Sequence, residues 1–158
     1  MYHLIVSIIG QINQGHLMQL TRYTDYGLRT LIYLALLPAG HKASIDEISQ
    51  TYEISRNNLN KIVHQLGKAK VIQTQRGKGG GMFLNQAPEQ INIGDMVLLL
   101  ENTMRVVECD KPPCCISPAC KLKGIFADAT QAFVTSLQAY YLSDLLLEEQ
   151  KPLLRILV

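Results

Sequence analysis

Residues 44–69 read SIDEISQTYEISRNNLNKIVHQLGKA and contain two helix starts separated by a short break. The first start, Ser44-Ile-Asp-Glu47, has the S-x-x-E pattern of a capping box, in which both side chains bind free backbone N–H groups. After a break at residues 52–54, Ser55 suits the N-cap of a second helix. Two short capped helices joined by a tight turn predict a helix-turn-helix, whose second helix lies in the major groove of DNA.

The second helix of this pair has one apolar and one polar side. Leu59, Ile62, Val63 and Leu66 recur at the spacing of a stripe that faces a protein core. On the polar side, Asn can pair with an adenine edge and Lys can reach guanine or phosphate. A solvated polar face is the plainer interpretation, and the helix-turn-helix context favours DNA contact. The candidate DNA-binding residues here are Ser55, Arg56, Asn57, Asn60, Lys61, His64 and Lys68.

A glycine-rich turn follows between two short predicted strands. Residues 71–75 and 82–84 read as the strands, and Arg76-Gly-Lys-Gly-Gly-Gly81 joins them. A hairpin directly after a helix-turn-helix is typical of the wing of a winged helix, and Arg76 and Lys78 at its tip could reach a minor groove or phosphates. A nucleotide-binding loop is excluded, because G-x-x-x-x-G-K-S/T is absent and no helix opens directly after the glycines.

Apolar residues at helical spacing predict three further helices, at residues 23–37, at 93–101 and from about Ala119 to Tyr140. The last would run for about six turns if unbroken. A small domain leaves such a stripe uncovered, which predicts pairing with a second copy in a two-fold dimer; packing along its own domain is the alternative. The predicted fold class is mainly α with a small β wing: a winged helix-turn-helix domain plus a long C-terminal dimerisation helix.

Composition and charge predict a soluble globular protein that meets a polyanion. The chain has 158 residues, of which 47% are hydrophobic and 18% charged. Residues 1–85 hold nine Lys/Arg against four Asp/Glu, and residues 86–158 hold six against nine, so the N-terminal half is basic. The apolar run at residues 4–9 is too short for a membrane span and lacks the features of a secretory signal. We therefore expect residues 1–17 to precede the domain, a cytoplasmic location and no membrane partner.

All four cysteines fall within residues 108–122, ECDKPPCCISPACKL. A reducing cytoplasm favours metal binding over disulfides, and the three prolines between the thiols predict a loop. The paired C-x2-C spacing of structural zinc sites is missing, and the common ferredoxin spacings do not fit. A catalytic thiol would need a nearby His, and none is close in the sequence, so we expect no enzyme. Spacing favours an iron–sulfur cluster over zinc, with a thiol redox switch third. The ligands would be Cys109, Cys120 and either Cys114 or Cys115.

Five stretches together resemble a known family: QLTRYTDYGLRTLIYLA, ISRNNLNKIVHQL, RGKGGGMFL, INIGDMV and the cysteine run ending in ISPACKL. They are similar to the NsrR family of nitric-oxide-sensitive iron–sulfur repressors, part of a bacterial winged-helix family that includes the cluster-assembly regulator IscR. The resemblance covers residue 18 to the C-terminal region. It implies a homodimer that represses nitrosative-stress genes on operator DNA and releases the DNA when nitric oxide nitrosylates the cluster.

The resemblance also assigns residues. By position it implies that Cys109, Cys114 and Cys120 bind the cluster, 2Fe-2S or 4Fe-4S, and that Asp25 is a fourth ligand supplied by the partner subunit. Asp25 equally suits a helix N-cap or a first-turn acid. Cys115 departs from the family pattern and is expected to be a bystander. An IscR-like regulator is disfavoured by the first cysteine interval and by ISPAC, and a zinc-stapled DNA-binding module is the alternative from another class.

The chain accordingly divides into an N-terminal extension at 1–17, a winged helix-turn-helix domain at 18–100, a cysteine-rich cluster-binding loop at 101–121, and a dimerisation helix with a C-terminal tail at 122–158. Cluster ligands joined to the long helix would set the distance between two recognition helices. That distance must match DNA half-sites about one helical turn apart.

Overall fold

A computed structural model describes residues 19–146, and it consists mainly of helices with one two-stranded antiparallel sheet. The predictions for residues 1–17, and for the tail beyond residue 146, lie outside the described residues. The predicted mainly α fold with a small β wing is confirmed. The elements in chain order are α1 Arg22–Leu36, α2 Ile45–Tyr52, α3 Arg56–Lys68, β1 Ile72–Gln75, β2 Gly81–Leu84, α4 Ile93–Leu100 and α5 Lys121–Gln138, with 3₁₀ turns at Pro88–Gln90, Ser117–Ala119 and Leu142–Leu145.

The helix-turn-helix begins and ends at the predicted signals. The Glu47 backbone N–H donates to Ser44 Oγ at 3.1 Å and the Ser44 N–H donates to Glu47 Oε2 at 3.2 Å, which completes the capping box of α2. The helix stops at Glu53, whose φ of 53° is left-handed. Ser55 then caps α3, because its hydroxyl accepts from the Asn58 N–H at 3.3 Å. Local sequence therefore sets both helices of this motif.

The apolar stripe of α3 is the centre of the core. Leu59, Ile62 and Leu66 are fully buried, and they belong to one cluster with Leu31 of α1 and Ile48 of α2. Burying each such side chain stabilises the fold by about 1.5–3 kcal/mol. The stripe thus fixes α3 against the domain and leaves its opposite side in solvent.

The wing is a short hairpin with a turn that requires glycine. Ile72 pairs with Leu84 and Gln75 with Gly81. Gly77 and Gly79 have φ values of 97° and 76°, which larger residues rarely adopt. Backbone bonds of 3.0 and 2.8 Å between Ala43 and Met82 attach the hairpin to the segment before α2. The wing is therefore held beside the helix-turn-helix.

The C-terminal end of α5 is anchored on α4 by close packing. A Cβ added at Gly94 would lie 2.8 Å from the Gln138 backbone nitrogen, so only glycine allows this approach. Asn92 Nδ2 donates to the Gln138 carbonyl at 2.8 Å, and Gln138 Nε2 donates to Asp95 Oδ1 at 2.9 Å. Val134 is buried on the same side. These contacts connect the long helix rigidly to the DNA-binding domain.

The long helix is shorter than predicted and its beginning is uncovered. It runs for 18 residues, about five turns, instead of reaching Tyr140. It ends at Gln138 because the Tyr140 carbonyl accepts from the Ile93 N–H at 2.9 Å, which draws the chain into an extended pairing. Leu122 and Ile125 remain 54% and 56% exposed. Packing along its own domain therefore accounts only for the C-terminal half of α5.

Across residues 19–146, every helix is too short or too polar to cross a bilayer.

Candidate DNA-binding surface and cysteine-rich loop

The polar side of α3 forms a continuous solvent-facing surface. All seven candidate DNA-binding residues at and after Ser55 are exposed. Four of them, Asn60, Lys61, His64 and Lys68, line one shallow concavity together with Tyr23 and Gln65. Amide, imidazole and ammonium groups on one exposed helix face can contact base edges and phosphates. The structure therefore brings most of the sequence-predicted residues together.

Two of the candidate residues already have partners within the domain. Ser55 uses its hydroxyl as the N-cap of α3. Arg56 forms a two-pronged ion pair with Asp46 of α2, with Nε 2.8 Å from Oδ1 and Nη2 3.2 Å from Oδ2. Both partners are largely exposed, so the pair contributes about 0–1 kcal/mol and can be exchanged for a phosphate. Arg56 therefore remains a candidate DNA-binding residue, with less support than the four residues of the concavity.

The wing adds a second basic element. Arg76 and Lys78 lie in the turn between the strands and are exposed, as predicted. The sequence interpretation missed Lys42, whose ammonium group donates to Gln75 Oε1 at 2.5 Å and lies 6.0 Å from the centre of the Phe83 ring. In the sequence, a basic residue just before the capping box indicates DNA contact only weakly. The pairing of Ala43 with Met82 is what places Lys42 at the base of the wing.

Gln65 was also missed, and it links three helices. The Tyr23 hydroxyl donates to Gln65 Oε1 at 2.7 Å, and Gln65 Nε2 donates to the Leu99 carbonyl at 2.6 Å. Burial raises the pKa of the Tyr23 phenol above its usual value. The hydroxyl, which any tyrosine keeps protonated at neutral pH, therefore remains a donor into more alkaline solution. The partners are 42 and 34 residues away, and no local pattern in the sequence predicts such contacts.

The cysteine segment is a loop of consecutive tight turns, as the prolines predicted. The Cys114 N–H donates to the Cys109 carbonyl at 3.0 Å, and Asp110 forms a bridge with Pro113. In this antiparallel register Cys109 lies directly opposite Cys114, and opposite residues carry their side chains on the same face. Cys115 follows in the next turn and is exposed, whereas Cys109 and Cys114 are half-buried. The two adjacent cysteines therefore occupy different environments.

Cys120 lies where this loop meets α5. It occupies the N-cap position, is half-buried, and its N–H donates to the Ser117 carbonyl at 3.4 Å. Asp110 connects the two parts of the loop, because Arg105 Nη1 lies 2.8 Å from its carboxylate and Lys123 Nζ of α5 lies 4.0 Å from it. These side chains are exposed and each pair is weak. The turn that carries Cys109 is thus tethered to the start of the long helix.

The cysteines supply the right donor atoms for a metal centre, but in a spread arrangement. Within residues 19–146, no three His, Cys, Asp or Glu side chains converge on a position that could hold a metal ion. The four thiols are free, and thiolates are the ligands that iron–sulfur clusters use. The chemistry of these residues fits a cluster, and three of them must converge to hold it.

Asp25 forms its ion pair within its own helix. It is in the first turn of α1, and its carboxylate forms an i,i+4 ion pair with Arg29 at 2.9 Å. The N-cap of α1 is Thr21, so the N-cap interpretation of Asp25 is wrong and the first-turn acid is confirmed. The Asp25 side chain is 45% exposed, which leaves it accessible to another molecule.

A helix-turn-helix, a β-hairpin wing and a polar exposed recognition helix define a winged-helix DNA-binding regulator. Residues 20–148 match the Rrf2 family, described as "Iron-dependent Transcriptional regulator", and the chain belongs to this family. It is 44% identical over 135 residues to the "HTH-type transcriptional regulator NsrR" of Shouchella clausii (strain KSM-K16), an alignment that covers 84% of this chain and 91% of that protein.

Solved structures agree with this assignment. CymR, the global cysteine regulator of B. subtilis, superimposes with a TM-score of 0.65 at 27% identity, covering 82% of this chain and 96% of CymR. IscR of T. potens shares the fold with a TM-score of 0.66 at 21% identity, covering 82% of this chain and 86% of that chain.

Proposed function

We propose that this chain is a transcriptional repressor whose DNA affinity is controlled by an iron–sulfur cluster that senses nitric oxide. The observation that carries the proposal is the loop at residues 109–120, where Cys109 and Cys114 face each other across one turn and Cys120 begins the exposed helix α5. The 44% identity to a protein named NsrR supports the same conclusion. Operator DNA as the partner implies that the protein acts in the cytoplasm.

Cys109, Cys114 and Cys120 would hold the cluster through their thiolates. Asp25 of the partner subunit is the proposed fourth ligand, and a carboxylate bound to iron is more weakly held than a thiolate. Three thiolates close together repel one another. This repulsion would be reduced by the positive end of α5 and by nearby cations, which are Arg105, Lys121 and Lys123. When bound, the cluster supplies iron that nitric oxide can nitrosylate. Cys115 is exposed and is the bystander in this assignment.

Two subunits are needed for the proposed function. Leu122 and Ile125 are one turn apart on α5 and more than half exposed, which is typical of a helix that pairs with a second copy. Paired α5 helices would separate two recognition helices by a fixed distance, as operator half-sites require. The proposal also assigns residues 18–100 to the DNA-binding domain, residues 101–121 to the cluster-binding loop and residues 122–158 to the dimerisation helix and tail.

The anchoring of α5 suggests how the loop controls DNA binding. One end of α5 carries Cys120, and the other end is bonded to α4 through Gln138. A change in the positions of the three cysteines would therefore tilt α5 relative to the domain that carries α3. The spacing of two recognition helices would change, and affinity would fall with little change in α3 itself.

The central experiment is the visible spectrum and the iron and sulfide content of anaerobically purified protein, with DNA affinity measured before and after nitric oxide. We expect a coloured iron protein whose spectrum changes with nitric oxide and whose affinity falls by about 5–150-fold, the usual range of such coupling. A colourless protein with stoichiometric zinc, and DNA binding indifferent to nitric oxide, would establish the zinc-stapled module instead. Iron-loaded protein that responds only to mild thiol oxidation would establish the redox switch.

The DNA surface is tested by removing single charges. Lys61→Ala on α3 and Arg76→Ala on the wing should each weaken operator binding and lower the slope of log affinity against log salt by roughly one unit for each phosphate that is no longer neutralised. Binding would be measured by fluorescence anisotropy at several salt concentrations. Lys111→Ala removes one positive charge from the cysteine loop and is the matched control, with an expected unchanged slope. Unaltered slopes for both test variants would exclude these residues from the interface.

A further inference from the structure

The hydrogen bonds from Tyr23 through Gln65 to Leu99 form a connected path, here called the Tyr23–Gln65–Leu99 relay. Its two bonds measure 2.7 and 2.6 Å and join α1, α3 and α4. The Gln65 amide is both acceptor and donor in it, which an amide can do and an apolar side chain cannot. Gln65 and Leu99 are half-buried, so water competes poorly for these bonds.

One end of the relay lies at the edge of the recognition surface. Gln65 is on the border of the buried stripe of α3, four residues after Lys61 and three before Lys68, so all three are neighbours on the helix. Tyr23 and Gln65 line the same concavity as Lys61, Lys68 and His64. The Gln65 side chain therefore belongs to the edge of α3 that carries two of the candidate DNA contacts.

The other end lies where the chain leaves the domain for the cysteine loop. Leu99 is the penultimate residue of α4, and its carbonyl has no N–H four residues on within the helix. Leu100, next in the chain, is buried against α1, where a Cβ on Gly27 would meet its side chain. The helix ends at Leu100, and its C-cap Glu101 is eight residues before Cys109. The last turn of α4 is thus where the cysteine loop joins the domain.

We propose that Gln65 is a positioning residue that couples the last turn of α4, and through it the cysteine loop, to the orientation of the recognition helix. This inference rests on the proposed function, because it names a second route from the loop to DNA besides the tilt of α5. The route lies within one chain, so it alters α3 directly. Loss of the Leu99 carbonyl as a partner leaves the Gln65 amide without its acceptor and frees the edge of α3.

The test compares DNA affinity of cluster-loaded and nitric-oxide-treated protein in three variants. Gln65→Met keeps the length of the side chain and removes both bonds, and Tyr23→Phe removes one. Each should reduce the ratio of the two dissociation constants by about fivefold or more, within the range of measured allosteric couplings. Tyr33→Phe is the matched control, because Tyr33 is also on α1 and donates to Glu47 Oε1 at 2.9 Å, outside the relay. It should lower stability and leave the ratio unchanged.

A second readout needs no cluster. In cluster-free protein, amide hydrogen exchange in Gln65→Met should rise at residues 97–101 and at residues 61–68 by more than in the other core helices. Tyr33→Phe should raise neither segment above the other core helices. Exchange confined to the substituted position, or an equal fall of the ratio in all three variants, would overturn the relay. If nitric oxide leaves the DNA affinity of the wild-type protein unchanged, the proposed nitric oxide sensor is refuted. A joint rise of hydrogen exchange in both segments of Gln65→Met would then still establish the coupling of α3 to α4 through Gln65. If exchange does not rise in both segments, that coupling is refuted as well.

Discussion

Replacement of Cys114 by serine is expected to abolish cluster binding, whereas replacement of Cys115 leaves it intact. Serine keeps the size of the side chain and removes the soft thiolate that iron requires. Cys114 is half-buried and paired in register with Cys109, while Cys115 is exposed. Loss of an outer-shell partner alone typically lowers metal affinity by about 10–100-fold. Loss of the ligand Cys114 should lower the affinity at least as much, so the purified Cys114→Ser protein should contain little iron. Iron and sulfide analysis after anaerobic purification measures it.

The two adjacent thiols form their own control pair. Both variants lose one sulfur from the same loop, so a general effect on folding or expression would appear in both. Circular dichroism of each cluster-free variant checks that the helices remain. Retention of the cluster in Cys114→Ser together with its loss in Cys115→Ser would overturn the ligand assignment and favour the alternative set of Cys109, Cys115 and Cys120.

Placing a charge at Ile125 is expected to dissociate the dimer. The Ile125 side chain is 56% exposed in one chain, beside Leu122 on the same helix, and the proposed pairing buries both. In Ile125→Glu, two carboxylates would be buried without partners, and an unpaired buried charge typically costs about 3–5 kcal/mol. Two such charges should raise the dimer dissociation constant by more than about 100-fold. Sedimentation equilibrium at several protein concentrations measures it.

The control for this variant is Gln131→Glu, which adds the same charge to the same helix. Gln131 lies six residues further on, about 120° around the helix from Ile125, and is already polar and exposed. It should leave the dimer unchanged. Operator affinity should fall in Ile125→Glu, because a monomer reaches only one half-site. A dimer of unchanged stability in Ile125→Glu would place the subunit contact elsewhere on the protein.

Predictions made from the sequence succeeded where the determining interactions are local. The Ser44–Glu47 box and the Ser55 cap act over three residues, so their residue types alone indicate where helices begin. The apolar spacing of α3 predicted its buried side, and the glycines predicted a hairpin turn. The same local logic predicted a loop around the cysteines. For this reason the winged helix and its exposed recognition face were predictable.

Predictions were incomplete where a residue's partner is distant in the chain. The pairing of Arg56 with Asp46 gives one apparently free cation of the recognition face a partner within the domain. The end of α5 at Gln138 depends on the pairing of residue 140 with residue 93, whereas the apolar pattern continues past that point. Lys42 and Gln65 gained roles only through contacts with the wing and with α4. Such contacts depend on how the helices pack against one another, and the spacing of residue types along the sequence does not reveal that packing.

The sequence by itself determined the fold class, the position of the recognition helix and wing, and the chemical nature of the cysteine loop, because caps, periodicity and ligand types act within a few residues. Only the tertiary structure decided which half of α5 remains uncovered and that Gln65 joins the recognition helix to the end of α4. These features arise when segments far apart in the chain pack together, since packing assigns each side chain its neighbours and its exposure.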